Sequence, residues 1–111
     1  MSGKGHFVLM RIIKPKTNGD WARMHAVAGA SLAKWMVVVK AARWTEFADL
    51  RRTFSSADQV RVASGRTVVV FDIAGKRFRL VGAVHYVTGL VFALRFLTHA
   101  EYTKDRWKDE L

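Results

Sequence analysis

Apolar positions recur at helical spacing through the first half of the chain and alternate from Arg66 onward. Ahead of that switch, Phe7–Ile13 (FVLMRII) is β-branched and closed by Lys14-Pro15, which predicts a strand. Asp20 offers an N-cap for a short helix from Trp21 to about Ala28, ended by Gly29. Ser31 caps a second helix whose Leu32, Trp35, Met36 and Val39 follow the i, i+3, i+4, i+7 spacing, and Thr45 caps a third carrying Phe47, Leu50 and Phe54. The Met and Trp residues on these stripes are read as core. Three strands follow, Val68–Ile73, Arg77–Tyr86 and Leu90–Thr98, joined by turns at Ala74-Gly75-Lys76 and Val87-Thr88-Gly89. Helices first and strands later predict an α+β fold: an N-terminal strand, two to three helices, then a three-stranded antiparallel meander, forming one sheet with helices on one face.

Strand parity narrows the register. On Arg77–Tyr86 the even positions Phe78, Leu80, Val84 and Tyr86 are apolar, whereas the odd positions include Arg77, Arg79 and His85. On the last strand Leu90, Phe92, Leu94 and Phe96 form the apolar face, leaving Arg95 and His99 on the other. A three-residue loop, Val87–Gly89, pairs Tyr86 with Leu90 and matches apolar face to apolar face; a two-residue loop would put Phe92 among Arg77, Arg79 and His85 and is rejected. In the favoured register Val81 opposes Arg95, Arg79 is its diagonal neighbour, and Arg77 opposes His99. A Gly75-Lys76 type II′ turn places Asp72 opposite Arg79. One polar sheet face thus carries Arg77, Arg79, Arg95 and His99, a like-charged cluster that a phosphate ligand would relieve.

Charge gives that face a partner. The 111 residues carry 19 Lys+Arg against 9 Asp+Glu, a net +10, and half the residues are hydrophobic. This composition fits one folded domain with a polyanionic partner and excludes a disordered polycation. The domain is placed at residues 10–107, with 1–9 as an N-terminal extension and 108–111 as a C-terminal tail. Cysteine is absent, which excludes disulfide frameworks, thiolate catalysis and Cys-based zinc sites. His6, His25, His85 and His99 lack ligand spacing, so neither metal nor cofactor is expected, and no phosphate-loop or nucleophile-elbow motif occurs. Ser55-Ser56 has no partner His that the sequence places. The first ten residues hold no apolar stretch long enough for a signal peptide and no run approaches a membrane span. The closing Lys108-Asp109-Glu110-Leu111 spells an ER-retention tetrapeptide, read as coincidental in a cytoplasmic protein.

Cleaving RNA without a metal needs a base for the 2′-OH, cations for the developing phosphorane charge, and an acid for the leaving 5′-oxygen. Arg79 and Arg95 can supply bidentate charge stabilisation, and His99, or Tyr102 a helical turn beyond it, can move protons. A pair with Asp72 would account for Arg79 on structural grounds alone, and a cap on the following helix would account for His99.

Several ordered motifs resemble a known family. The stretch Arg95-Phe96-Leu97-Thr98-His99-Ala100-Glu101-Tyr102, with Lys104 and Trp107, is similar to the "RF.THAEYDKIDW" ending of HigB-type toxins. Val70-Phe71-Asp72-Ile73-Ala74-Gly75-Lys76-Arg77-Phe78-Arg79-Leu80-Val81 resembles their "VFNIGGNKYRLV". Trp44–Leu50 and Phe54–Asp58 match the middle segment "W.NFAD…FPSAD", and Met10–Ile13 is similar to the family's N-terminus. The resemblance spans roughly Met10 to Trp107. It implies a bacterial type II toxin of the RelE/ParE-like superfamily: an mRNA interferase that cuts translated mRNA in the ribosomal A site, needs no cofactor, and is neutralised by a helix-turn-helix HigA-like antitoxin. By position, Arg79 and Arg95 would hold the scissile phosphate, His99 and Tyr102 would transfer protons, and Lys76, Arg77 and Lys104 would contact RNA backbone. The chain departs from the pattern at Thr103, Asp72 and Lys76, which stand where the family has Asp, Asn and Asn. Two other readings stay open, a non-catalytic RNA- or ribosome-binding protein and a gyrase-inhibiting toxin on the same scaffold.

Overall fold

The computed structural model describes residues 9–14 and 19–111. Nine elements follow in order: β1 (Arg11–Ile13), α1 (Gly19–Ala41), α2 (Phe47–Thr53), β2 (Asp58–Arg61), β3 (Thr67–Ile73), β4 (Phe78–His85), β5 (Leu90–Thr98), α3 (His99–Thr103) and α4 (Arg106–Glu110). The strands form one sheet in the order β1-β5-β4-β3-β2. β1 runs parallel to β5, pairing Arg11 with Leu90, and the other neighbours are antiparallel.

The α+β class and the meander stand, with differences in detail. The first strand covers only Arg11–Ile13, while Phe7 and Val8 lie outside the described residues. The two helices expected on either side of Gly29 are one helix with a kink at Ala28 (φ −133°, ψ 26°), and Ser31 sits inside it rather than capping a new one. Asp20 falls within that helix instead of ahead of it. Glu46, not Thr45, is the N-cap of α2; the Thr45 N–H and hydroxyl both donate to Asp49 Oδ2, at 2.9 and 2.7 Å. These hydrogen bonds, the backbone one first, hold the Asp49 carboxyl below its ordinary range.

A fifth strand, β2, escaped the periodicity. It pairs Asp58 with Val70 and Arg61 with Thr67, but Val60 is its lone apolar residue, so an edge strand with both faces largely wet shows no alternation.

Helices cover both faces of the sheet, not one. Odd positions of β3 (Val69, Phe71, Ile73) join Leu80, Val91, Ala93 and Phe96 in a core capped by Trp21, Met24, Leu32, Trp35 and Val39 of α1. The even positions Val68 and Val70 face the other way and pack with Val62, Val81 and Trp107 of α4. The chain end belongs to this second layer. Ala63 N–H donates to the Lys108 carbonyl at 2.9 Å, and Leu111 packs against the cluster.

The β4–β5 register holds at one end and slips at the other. Val81 faces Arg95, as parity requires, but Gly82 faces Ala93, leaving Leu94 as the extra residue of a bulge. Beyond it Ala83 pairs with Phe92 and His85 with Leu90, so the loop is the four residues 86–89 rather than three. Gly89, at φ +72°, closes it with an N–H to the His85 carbonyl at 2.8 Å. Leu90 and Phe92 therefore share a face with His85, whose ring meets Phe92 edge-on at 5.2 Å, the arrangement that parity alone rejects. Gly82 permits the bulge, because a Cβ there would lie 3.2 Å from the Phe92 carbonyl oxygen.

Candidate functional site

The register that survives at the far end of β4 and β5 builds the site. Asp72 and Arg79 are cross-strand partners, and Arg79 Nε lies 3.1 Å from Asp72 Oδ1. Arg79 is 7% exposed, the sole charged residue so buried among those described. Its Nη1 donates to the Lys76 carbonyl and, at 3.4 Å, to the Phe78 carbonyl. Its Nη2 lies 3.5 Å from His99 Nδ1, and the guanidinium carbon sits 5.1 Å from the Tyr102 ring centroid. The guanidinium is thereby fixed in orientation before any ligand arrives.

α3 positions the two proton-bearing candidates. Thr98 caps it with a full capping box: Thr98 Oγ1 accepts from Glu101 N–H at 3.2 Å, and Glu101 Oε1 accepts from Thr98 N–H at 2.9 Å. Thr98, not His99, is thus the cap. His99 occupies the first helical position, its own N–H donating to the Arg77 carbonyl at 3.0 Å. Arg23 of α1 pairs with Glu101, so the box is tied to the helix across the sheet edge. The Glu101 carboxyl is held below its ordinary value chiefly by the Thr98 N–H and, against some desolvation, also by Arg23. Tyr102 stacks on Trp107 of α4 (5.5 Å, 18°), whose Nε1–H donates to the Tyr102 carbonyl at 3.1 Å. A buried tryptophan therefore sets the plane on which Arg79 rests.

Arg79, Asp72, Lys76 and Tyr102 line one cleft of about 240 Å³, with Arg51, Ser56, Asp58 and Val70 completing it. Three cations thus face two carboxylates, and the cleft suits an anion whose charge is shared among several donors. Arg51, Ser56 and Asp58 come from α2, the turn after it and β2, and were missed by the strand-face reasoning. Ser56 and Asp58 do fall in the middle family-like segment, which was the available signal.

Other expected residues lie elsewhere. Arg95 shares the Arg79 face but opens into a second cleft of about 340 Å³, together with Arg23, Lys104 and Arg106. Its Nε lies 3.4 Å from Glu110 Oε1 and its Nη1 donates to the Leu94 carbonyl at 2.8 Å. Tyr102 borders the first cleft and Trp107 the second, so their stack forms the wall between the two. Arg77 is exposed at the β3–β4 turn with its guanidinium 5.8 Å from the Phe78 ring centroid. Lys104 is exposed beside Arg95. His99 touches Arg79 from an exposed position at the rim. Among the described residues no three His, Asp or Glu side chains gather as metal ligands, and no helix is long and apolar enough to cross a membrane.

The HigB_toxin family model, described as the RelE-like toxic component of a toxin-antitoxin system, matches residues 28–105. That span holds Arg79, Arg95, His99 and Tyr102 together with the α2–β2 wall of the cleft. No curated protein matches the chain. The match covers well over half of the sequence, and an antitoxin is the partner that such a toxin implies: this chain belongs to the HigB family of RelE-like toxins.

Proposed function

We propose that this toxin is a ribosome-dependent endoribonuclease that cleaves translated mRNA in the ribosomal A site. The observation that carries the reading is Arg79, buried and pre-oriented over Tyr102 at the floor of a basic cleft. The scissile phosphate would take the place beside the guanidinium and Lys76, where charge developing on the phosphorane meets fixed donors. His99 and Tyr102, both against Arg79, are the groups to take the 2′-OH proton and to return one to the leaving 5′-oxygen. No metal is needed for that sequence. Arg95, Lys104 and Arg77 serve as backbone contacts flanking the cut rather than at it. A HigA-like helix-turn-helix antitoxin is the proposed neutralising partner, and the cytoplasm the place of action. A cleft with His99 exposed at its rim and Tyr102 in its wall suits an enzyme whose substrate is oriented by the ribosome.

The test is primer extension on mRNA in programmed ribosomes, with free mRNA alongside, comparing the wild type with His99→Ala. Cuts at A-site codons that need the ribosome and vanish in the variant are expected. Intact mRNA under both conditions would overturn the proposal; the basic face would then be a binding surface, with gyrase the next target to assay.

A further inference from the structure

We infer that the cleft of Arg95 is a second phosphate site for the same RNA strand, and that Glu110 fills it until RNA arrives. The inference rests on the reading of the Arg79 cleft as the place of the scissile phosphate.

The charges in this cleft are unevenly matched. Arg23, Arg95, Lys104 and Arg106 line it together with two carboxylates, Glu101 and Glu110. Glu101 is committed to the fold, because it accepts from the Thr98 N–H and pairs with Arg23. Glu110 is not. Its side chain is 59% exposed, and among the described residues its only ion pair is with Arg95 Nε, at 3.4 Å. So exposed a pair contributes little to stability, and a phosphate oxygen can replace the carboxylate at small cost. Lys104 and Arg106 are exposed, and among the described residues neither has a carboxylate partner. The cleft therefore offers two unpaired cations and a third whose acidic partner is loosely held. That is the make-up of an anion site rather than of a closed network of ion pairs.

Position joins this cleft to the first. Arg79 opposes Leu97 across β4 and β5, and Arg95 stands two residues before Leu97, so the two arginines are diagonal neighbours on one face, with Cα atoms about 7–8 Å apart. Tyr102 borders the Arg79 cleft and Trp107 that of Arg95, and their stacked rings, 5.5 Å between centroids, are what separates the two. A strand crossing that ridge meets fixed cations on both sides. α4 supplies the ridge and the competitor together: Arg106 and Glu110 are four residues apart on it, and both line the cleft beside Trp107.

The test is fluorescence anisotropy of the whole protein with a labelled 2′-O-methyl hexauridylate, which has no 2′-OH to attack, over a series of salt concentrations. Glu110→Gln is expected to tighten binding about two- to fivefold, the worth of an exposed ion pair. Arg95→Gln and Arg106→Gln are each expected to weaken it about tenfold. Both should also flatten the slope of log affinity against log salt by about 0.7, one phosphate's share on a single strand. Lys40→Gln, an exposed cation of α1 outside both clefts, makes the same change of charge and is expected to alter nothing. Equal weakening by Lys40→Gln and Arg106→Gln means diffuse attraction and overturns the site, as does a Glu110→Gln variant that binds no more tightly than the wild type. Failure of the probe to bind at low salt overturns it too. Weakening by Arg79→Gln with none by Arg95→Gln or Arg106→Gln overturns the second site and leaves the scissile-phosphate reading standing; the opposite pattern does the reverse.

Discussion

The two faces of the sheet have opposite characters. On one, seventeen buried residues, the long α1 among them, form a continuous apolar layer. On the other, five buried residues form a small cluster under two single-turn helices, and beside it lies the buried Arg79. The first face supplies stability through burial, roughly 25 cal/mol per Å² of apolar surface. The second holds a charged side chain where burial is costly, and tolerates it because Asp72, two carbonyls and the Tyr102 ring surround the guanidinium. A sheet with one continuous apolar face can carry a polar face with a buried arginine without losing its fold.

The contrast can be broken from the dry side first. Phe71→Ala removes the ring that Trp35 and Phe54 both abut and should cost about 3–5 kcal/mol in urea unfolding, a large share of a small domain's stability. Arg79→Gln strikes the polar side: cleavage in programmed ribosomes should fall about 10²- to 10³-fold, as when a single charge-stabilising donor is lost. The same substitution strands the Asp72 carboxylate and should lower stability by about 1–3 kcal/mol, less than Phe71→Ala. If Arg79→Gln unfolds the protein as readily as Phe71→Ala, the division of labour between the faces fails.

Smaller perturbations sharpen the comparison. Gly82→Ala forces a Cβ against the Phe92 carbonyl and should cost about 1–3 kcal/mol by equilibrium unfolding. Thr98→Ala deletes the cap of α3 and should cost about 1 kcal/mol while reducing cleavage more than stability, since α3 sets both His99 and Tyr102. Acid should act on the same cap. The Glu101 carboxyl is depressed from its ordinary 4.5, so its contribution is complete above that value and is lost as pH falls through the lowered one. Protection of the α3 amides, taken relative to their intrinsic exchange at each pH, should therefore fall as pH drops through the lowered value, and Glu101→Gln should flatten that fall.

The two ends of the β4–β5 hairpin show what alternation can and cannot reveal. At the Arg79 end the polar face is marked by Arg79, Arg95 and Asp72, and a slip by one residue would bury two arginines in the α1 core; the register was legible because the alternatives are so costly. At the Tyr86 end every residue from Leu90 to Leu94 is apolar, so both parities bury well and the pattern cannot choose. The bulge at Leu94 was decided by contacts that are distant in sequence: Val84 and Val91 had to reach the α1 side, and Gly82 made room. β2 stayed hidden for a related reason, since an edge strand with one half-buried valine needs no apolar face of its own.

The site divides along the same line. Arg79, Arg95 and His99 were legible as members of one polar face, Tyr102 as lying a helical turn beyond His99, and all four by their likeness to HigB-type motifs; Arg79 does meet His99 and Tyr102. That Arg95 faces a different cleft was not legible, because a stack of Tyr102 on Trp107 depends on how α4 folds back over the sheet. Asp58 entered the cleft through pairing of β2 with β3, and Arg51 and Ser56 through α2 and the turn that leads into β2, none of which a local pattern encodes.

By itself, then, the sequence determined the α+β class and the faces of strands whose polar and apolar residues alternate, since these follow from local periodicity and the cost of burying charge; its composition gave the basic character and its motifs the family. Which arginines share a cleft, where the register slips, and that the second face is also covered were decided by tertiary structure alone, because they depend on how residues far apart in the chain pack together.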